Sequence, residues 1–415
     1  MKKYYERISE EKLNTKQNTV WYAAGSTLSS LSSILLLMFT TRILGGSEGG
    51  VFSIGWSISQ LVLTIGWFGS RNFQISDYNS KYHDADYFSS KILTIVAMFI
   101  STIIYSLLLG LTAYKLYITC LLTILMGCDV IADVFSGFFQ KHGYLHITGK
   151  SYAGRNVLYD ITFLGVLIVS HRIDLSIISA IIVSCIWLFL FDYKISGCLI
   201  KEKFQFRLPK VLELLKDCFP IFISAFLAIL ITNIPKNAIE ILLDDTMQNI
   251  YNIVSMPSFS INLLGMFLFV PMYPGIAGDW ANGNLASLKR KMLRILLYIG
   301  MITALICLFG YIAGIPVLSL LYGITLTDYR NDLVLLLFAG GISCVLNFFS
   351  YIITVMRKQK LLMIIYVIAV LFAQFISTPF VNAYGISGAA CIYLLTISIA
   401  AIGAFIIIYL NIYRK

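Results

Sequence analysis

Lys194-Ile195-Ser196-Gly197-Cys198-Leu199-Ile200-Lys201-Glu202-Lys203-Phe204-Gln205-Phe206-Arg207-Leu208-Pro209-Lys210 is the most basic interval of this chain, and it stands near the middle. Six long apolar runs precede it and six follow it. Each is close to the 20 or so residues that a helix, rising about 1.5 Å per residue, needs to cross a bilayer. Their approximate limits are 19–40, 50–70, 90–112, 116–138, 154–171, 174–193, 214–234, 248–273, 292–315, 331–355, 360–381 and 386–411. With 58% hydrophobic and 13% charged residues over 415 positions, the composition is foreign to soluble domains.

Outward from that interval the basic residues alternate. Of the 31 lysines and arginines, 26 fall in the odd-numbered gaps between runs and 5 in the even-numbered ones. Positive side chains stay on the cytoplasmic side, so the alternation fixes an orientation as well as a span count. A missed or invented helix would invert the pattern from that point onward, and no inversion occurs. The expectation is an all-α integral membrane protein with twelve transmembrane helices in two six-helix bundles and both termini cytoplasmic. The bundles are expected at 1–200 and 214–415, joined by a cytoplasmic linker at 201–213. In that linker Phe204, Phe206, Leu208, Val211 and Leu212 interleave with basic residues, which fits a segment lying on the inner membrane surface. A solvated linker fits it equally well.

Because six is even, the second half enters the membrane in the same direction as the first. The halves should be parallel repeats about an axis along the membrane normal. A sequence trace survives: Ile43 to Ile54 after the first run aligns with Leu242 to Ile253 after the seventh, with Leu44/Leu243 and Ile54/Ile253 identical. The net charge of +10 suits anionic headgroups and calls for no nucleic acid. The first run, preceded by a polar segment with Glu6, Glu10 and Glu11, does not read as a cleaved signal.

The loops exclude several chemistries. Outward gaps are at most about fifteen residues, too short for the catalytic outer loop of a glycan polymerase or ligase. There is no P-loop, dinucleotide fingerprint, HExxH or GxSxG segment. A transporter without its own ATPase remains, with no cofactor and no metal expected. The eight cysteines form no CxxC pair and read as buried small apolar side chains. His142 and His146 lie in a basic loop without a nearby cysteine or carboxylate, and read as solvated rather than as a zinc site.

Charges inside the runs are costly, about 2.5–3.5 kcal/mol each at mid-bilayer on insertion scales, and they usually face a cavity. Arg42 ends the first run on the outer side. Lys236 stands at the outer end of the seventh, with Glu240 one turn on. Arg71 closes the second run and Arg155 opens the fifth, both on the inner side, where snorkelling to the headgroups is an equal reading. Asp129 and Asp133 share a face of the fourth run and are candidates for ion coupling, or else for packing or pairing with a cation. Asp160 lies in the fifth. Pro257 falls well inside the eighth run, where it marks either a bend point or a statically bent helix.

The residues then match a known pattern. Thr41-Arg42-Ile43-Leu44-Gly45 and Phe68-Gly69-Ser70-Arg71-Asn72-Phe73-Gln74-Ile75-Ser76-Asp77 resemble polysaccharide flippases of the O-antigen and capsule type. So do Gly149-Lys150-Ser151-Tyr152 with Arg155-Asn156, Asn233-Ile234-Pro235-Lys236-Asn237-Ala238-Ile239-Glu240, Met256-Pro257 and Ile261-Asn262-Leu263-Leu264. The glycine-rich turn Gly45–Gly50 departs from the pattern. That superfamily also holds multidrug/toxin extruders and peptidoglycan-precursor flippases. The resemblance implies two bundles that open alternately inward and outward. It implies, as cargo, a polyprenyl-diphosphate-linked oligosaccharide moved between leaflets of the plasma membrane, with membrane lipids and other polysaccharide-assembly proteins as partners. Arg42, Arg71, Arg155 and Lys236 are then expected to line the path. An ion-coupled exporter of organic cations and a membrane-embedded glycan-assembly enzyme are the competing readings.

Overall fold

A computed structural model describes residues 15–76, 81–199, 206–269 and 272–413. Their regular structure is helical throughout. Helices α1 (Thr15–Leu44) and α2 (Gly46–Trp67) are followed by the short α3 (Ser70–Ser76), then α4 (Asp84–Leu108), α5 (Ala113–Lys141) and α6 (Leu145–Ser170). Helix α7 runs over Ile173–Leu199 through a π-turn at Leu188–Tyr193. Helix α8 spans Leu208–Leu242, and the shorter α9 (Asp245–Ser255), α10 (Pro257–Phe269) and α11 (Tyr273–Ala281) come next. Helices α12 (Leu285–Tyr322), α13 (Arg330–Val355) and α14 (Gln359–Tyr413) complete the order.

The helices are amphipathic in the sense that a lipid solvent requires. On α4 Ile92, Val96, Ile100, Ile103 and Leu107 form an exposed stripe at helical spacing, while Ser90, Lys91, Thr94, Thr102 and Ser106 are buried. In water that stripe would be a large apolar patch; hydrocarbon covers it without cost. Inside, hydroxyls join helices: Thr123 on α5 meets Ser59 on α2 at 3.3 Å and Thr102 on α4 at 3.2 Å. Small residues set the closest crossing. A Cβ on Gly149 would lie 2.2 Å from the Trp21 carbonyl oxygen, and one on Gly25 would lie 2.3 Å from that of Gly149. Helices α1 and α6 therefore touch backbone to backbone, a contact only glycine permits.

Ten helices among the described residues are long and apolar enough to cross a membrane. The last, α14, contains the expected eleventh and twelfth runs. Its backbone leaves helical geometry at Gly385 (φ 57°, ψ −131°). A Cβ on Gly388 would meet the Phe380 carbonyl oxygen at 2.2 Å, and one on Gly403 would touch Ile365 at 3.0 Å. Along a straight helix Ile365 and Gly403 would be about 57 Å apart, so α14 is a hairpin. The expected eighth run, 248–273, is divided into α9 and α10 at Met256–Pro257, and Val270 and Pro271 lie outside the described residues.

Contacts divide the chain into Met1–Phe226 and Leu227–Lys415. The division falls inside α8. Residues 200–205 of the expected linker, Phe204 among them, lie outside the described residues, as do 1–14, Arg414 and Lys415. Beyond them α8 begins at Leu208, earlier than the run at 214 suggested. Phe206, Leu208 and Leu212 are exposed, but Val211, Leu214 and Cys218 are fully buried, the last two against Tyr82, Tyr87 and Val134. Polar contacts reinforce this packing. Lys81 donates to Asp217 at 2.7 Å and approaches Glu213 at 3.3 Å, Tyr82 donates to Asp217 at 2.8 Å, and Arg207 forks onto Asp86.

Two sequence expectations need correction. His146 is not solvated: it is fully buried, with Nδ1 2.8 Å from the Asn18 amide oxygen, because α6 carries it beneath the end of α1. Cys185 and Cys198 are exposed rather than buried. Their apolar neighbours face lipid, which composition alone does not distinguish from a core.

Candidate functional site

The first unit holds a chain of buried charges strung along α5. Asp129 and Asp133 project from one face a turn apart. Arg155 of α6, 1% exposed, donates Nη2 to Asp129. Asp133 is shared: Lys91 of α4 reaches Oδ2 at 3.4 Å, and Arg71 of α3 stands 3.7 Å from Oδ1. Arg71 also donates to the Gln140 amide oxygen at 2.8 Å and to the Tyr22 hydroxyl at 3.3 Å, and lies over the Tyr22 ring at 5.4 Å. Lys91 donates as well to the Trp67 carbonyl at 3.1 Å. In direct contact, then, are three cations and two carboxylates.

Local sequence places these groups. The turn after α2 is forced by Phe68 and Gly69, both at positive φ (50° and 66°), and it starts α3 with Arg71 pointing into the unit. A Cβ on Gly137 would meet the Gln74 side chain at 2.1 Å and that of Arg71 at 3.3 Å, so α5 is thinned where these side chains cross it. Several buried donors have no partner among the described residues: Arg71 Nε, Gln74 Nε2, and Arg155 Nε and Nη1. Asn156, 1% exposed, has both amide atoms unpartnered. Two further carboxylates of the unit are bound by serines. Ser32 donates to Asp160 at 2.7 Å, and Ser151 donates to the buried Asp192 at 2.8 Å.

Four of the six expected site residues thus fall in two contact groups one turn apart on α5, Arg155 with Asp129 and Arg71 with Asp133. The snorkelling alternative fails for Arg155, which is sealed from the surface. Arg42 is exposed at the end of α1, where a cation complements the helix dipole. Lys236 is half-buried in the second unit, within α8, where Asn233 caps back onto the Ile229 carbonyl at 3.0 Å. Sequence reasoning missed Lys91 and Asp192. Both sat at the edge of an apolar run and read as flanking charges. But α4 starts at Asp84, almost two turns before Lys91, and α7 continues through its π-turn beyond Asp192.

No family model matches the chain. It is 24% identical over 399 residues to the capsular polysaccharide biosynthesis protein CapF of Staphylococcus aureus, covering 92% of this chain and 95% of that protein. Among solved structures it is similar to the lipid II flippase MurJ in an inward closed conformation, with TM-score 0.71, 15% identity, and coverage of 94% of this chain and 87% of that one. It is also similar to an inward-facing multidrug resistance MATE transporter of the MOP superfamily, with TM-score 0.69, 13% identity, and coverage of 96% and 98%. Apolar helices and these neighbours together make it a multi-pass membrane protein. The chain has the fold of these MATE transporter and lipid II flippase structures.

Proposed function

We propose that this chain is a flippase that moves a polyprenyl-diphosphate-linked oligosaccharide from the inner to the outer leaflet of the plasma membrane for surface polysaccharide assembly. The observation that carries the reading is the set of buried cations Arg71, Lys91 and Arg155, two of which, Arg71 and Arg155, keep guanidinium donors without a partner among the described residues. A diphosphate leaves water only where charge-assisted hydrogen bonds replace its hydration, and arginine forks supply them. The lipid tail can stay in the bilayer meanwhile. The capsule-related relative and the lipid II flippase neighbour support the same cargo class.

In this reading the chain makes twelve passes as two parallel six-helix halves, 1–200 and 214–415, with its termini in the cytoplasm. It works by alternating access. Arg71 and Arg155 accept the cargo, with Arg155 exchanging Asp129 for a phosphate, and Arg42 and Lys236 receive it at the outer ends. Asp129 and Asp133 couple the cycle to ions. The competing reading, export of organic cations, draws on the multidrug neighbour, but such cargo calls for an acidic or aromatic lining rather than buried guanidinium groups with open donors. Deleting the gene and analysing the membrane lipids is the test. Accumulation of a lipid-linked oligosaccharide on the inner leaflet, reversed by the wild-type chain and not by Arg71→Ala, is expected. Normal surface polysaccharide in the deletion strain would sink the proposal.

A further inference from the structure

We infer that Lys91 is a positioning residue for anion binding by Arg71: by occupying Asp133, its buried amine leaves the Arg71 guanidinium uncompensated and available to one phosphate of the cargo. This rests on the flippase reading above. Lys91 is 3% exposed, and its Nζ has two contacts, the Asp133 carboxylate at 3.4 Å and the Trp67 carbonyl at 3.1 Å. Asp133 is the carboxylate it shares with Arg71.

Arg71 is held differently. Its separation from Asp133, 3.7 Å, is too long for a hydrogen bond, and its short contacts are to the neutral groups of Gln140 and Tyr22. The Tyr22 ring beneath it favours a cation without neutralising one. Two cations facing one carboxylate leave one positive charge over. The orphaned atoms nearby, Arg71 Nε and Gln74 Nε2, are both donors, so an acceptor-rich ligand would satisfy them. Without Lys91, Asp133 would be left to Arg71 alone. A bidentate carboxylate–guanidinium pair is among the strongest contacts available in such an interior, and it would compete with the cargo. Burying a lysine in a membrane helix is costly; keeping Asp133 off Arg71 accounts for that cost.

A purely structural role, Lys91 tying α4 to α5 and to the end of α2, predicts different behaviour. The test measures binding of geranylgeranyl diphosphate, and of geranylgeraniol as the uncharged control, to the purified full chain in nanodiscs. Lys91→Met should weaken diphosphate binding about tenfold and leave alcohol binding unchanged, whereas Lys91→Arg should bind within about threefold of wild type. The double variant Lys91→Met with Asp133→Asn should recover binding, because the competing carboxylate has gone. Asp133→Asn alone, which does not depend on Lys91→Met folding, should bind the diphosphate at least as tightly as wild type. Wild-type affinity in Lys91→Met, no recovery in the double variant, or weakened binding in Asp133→Asn would each overturn the inference. Arg71→Ala separates the two claims: normal diphosphate binding there would remove the flippase site itself, whatever Lys91 does.

Discussion

Arg155, the most enclosed cation of the group, pairs with Asp129, and removing one partner strands the other. Asp129→Leu should lower stability by about 3–5 kcal/mol, since it leaves a guanidinium buried and unpaired. A thermal unfolding series in detergent would check this, and a midpoint within a degree of wild type would refute it. Asp129→Asn keeps the shape and a hydrogen-bond acceptor, so protein levels should hold while any pH dependence of transport in proteoliposomes disappears. An unaltered pH profile would return the pair to a structural role. Arg42→Ala and Lys236→Ala should each reduce surface polysaccharide at normal expression, with Arg42→Lys recovering only part because lysine lacks the fork. Full export in both alanine variants would make these two residues interface anchors. At this scale the acidic pair on α5 was legible, because two carboxylates a turn apart in an apolar run have few explanations. Lys91 was not, because a lysine well inside a helix cannot be told from a flanking one until the helix start is known.

Helices pack here through what they lack. Gly25 and Gly149 let α1 and α6 meet along their backbones, so Gly149→Leu should separate them and cost at least the roughly 1–3 kcal/mol typical of overpacking. The check is the yield of folded protein and its unfolding midpoint, with Gly165→Leu, whose Cβ would meet nothing within 4 Å, as the tolerant control. Span positions were readable from composition, but their ends were not, since helices extend past the hydrocarbon on polar residues. Pro257 divides the eighth run, and the hydroxyls of Ser255 and Ser258 bond back to the Asn252 and Ser255 carbonyls there, as backbone near a break in lipid requires. The docking of the first turns of α8 was hidden because its partners, Lys81, Tyr82 and Asp86, stand more than a hundred residues away. The Lys81 ammonium is held above its ordinary range, first by its bond to Asp217. A raised cation contributes below its ordinary pKa and is lost only as pH climbs through the raised one, so this clasp should hold unchanged from pH 5 to about 9.

The molecule as a whole is described by the two periodicities that opened the sequence: apolar runs, and basic residues in alternate gaps. The first is realised in ten membrane-length helices among the described residues, one of them a hairpin. The second is a statement about orientation, which helix packing does not register, because a bundle and its inverted copy have the same internal contacts. It needs chemistry in cells. In a cysteine-free background, Gly46→Cys and Asp328→Cys should react with an impermeant maleimide added outside, and Phe206→Cys should not. Labelling of Phe206→Cys in intact cells would reverse the topology. The buried charges that meet on α5 lie wholly in the first unit, while Lys236 lies in the second.

The fold of α14 at Gly385 carries a consequence for biosynthesis. To a translocation channel the stretch Gln359–Ile412, whose most apolar 18-residue window has mean hydropathy 2.6, carries no charged residue after Lys360. As a straight rod it would measure about 81 Å, against roughly 30 Å of hydrocarbon. With no charged loop to pause between two entries, both arms must pass into lipid together, and a residue at positive φ is what allows the rod to fold during that passage. Gly385→Val should therefore do its damage before folding begins, by leaving nascent chains stalled in the channel.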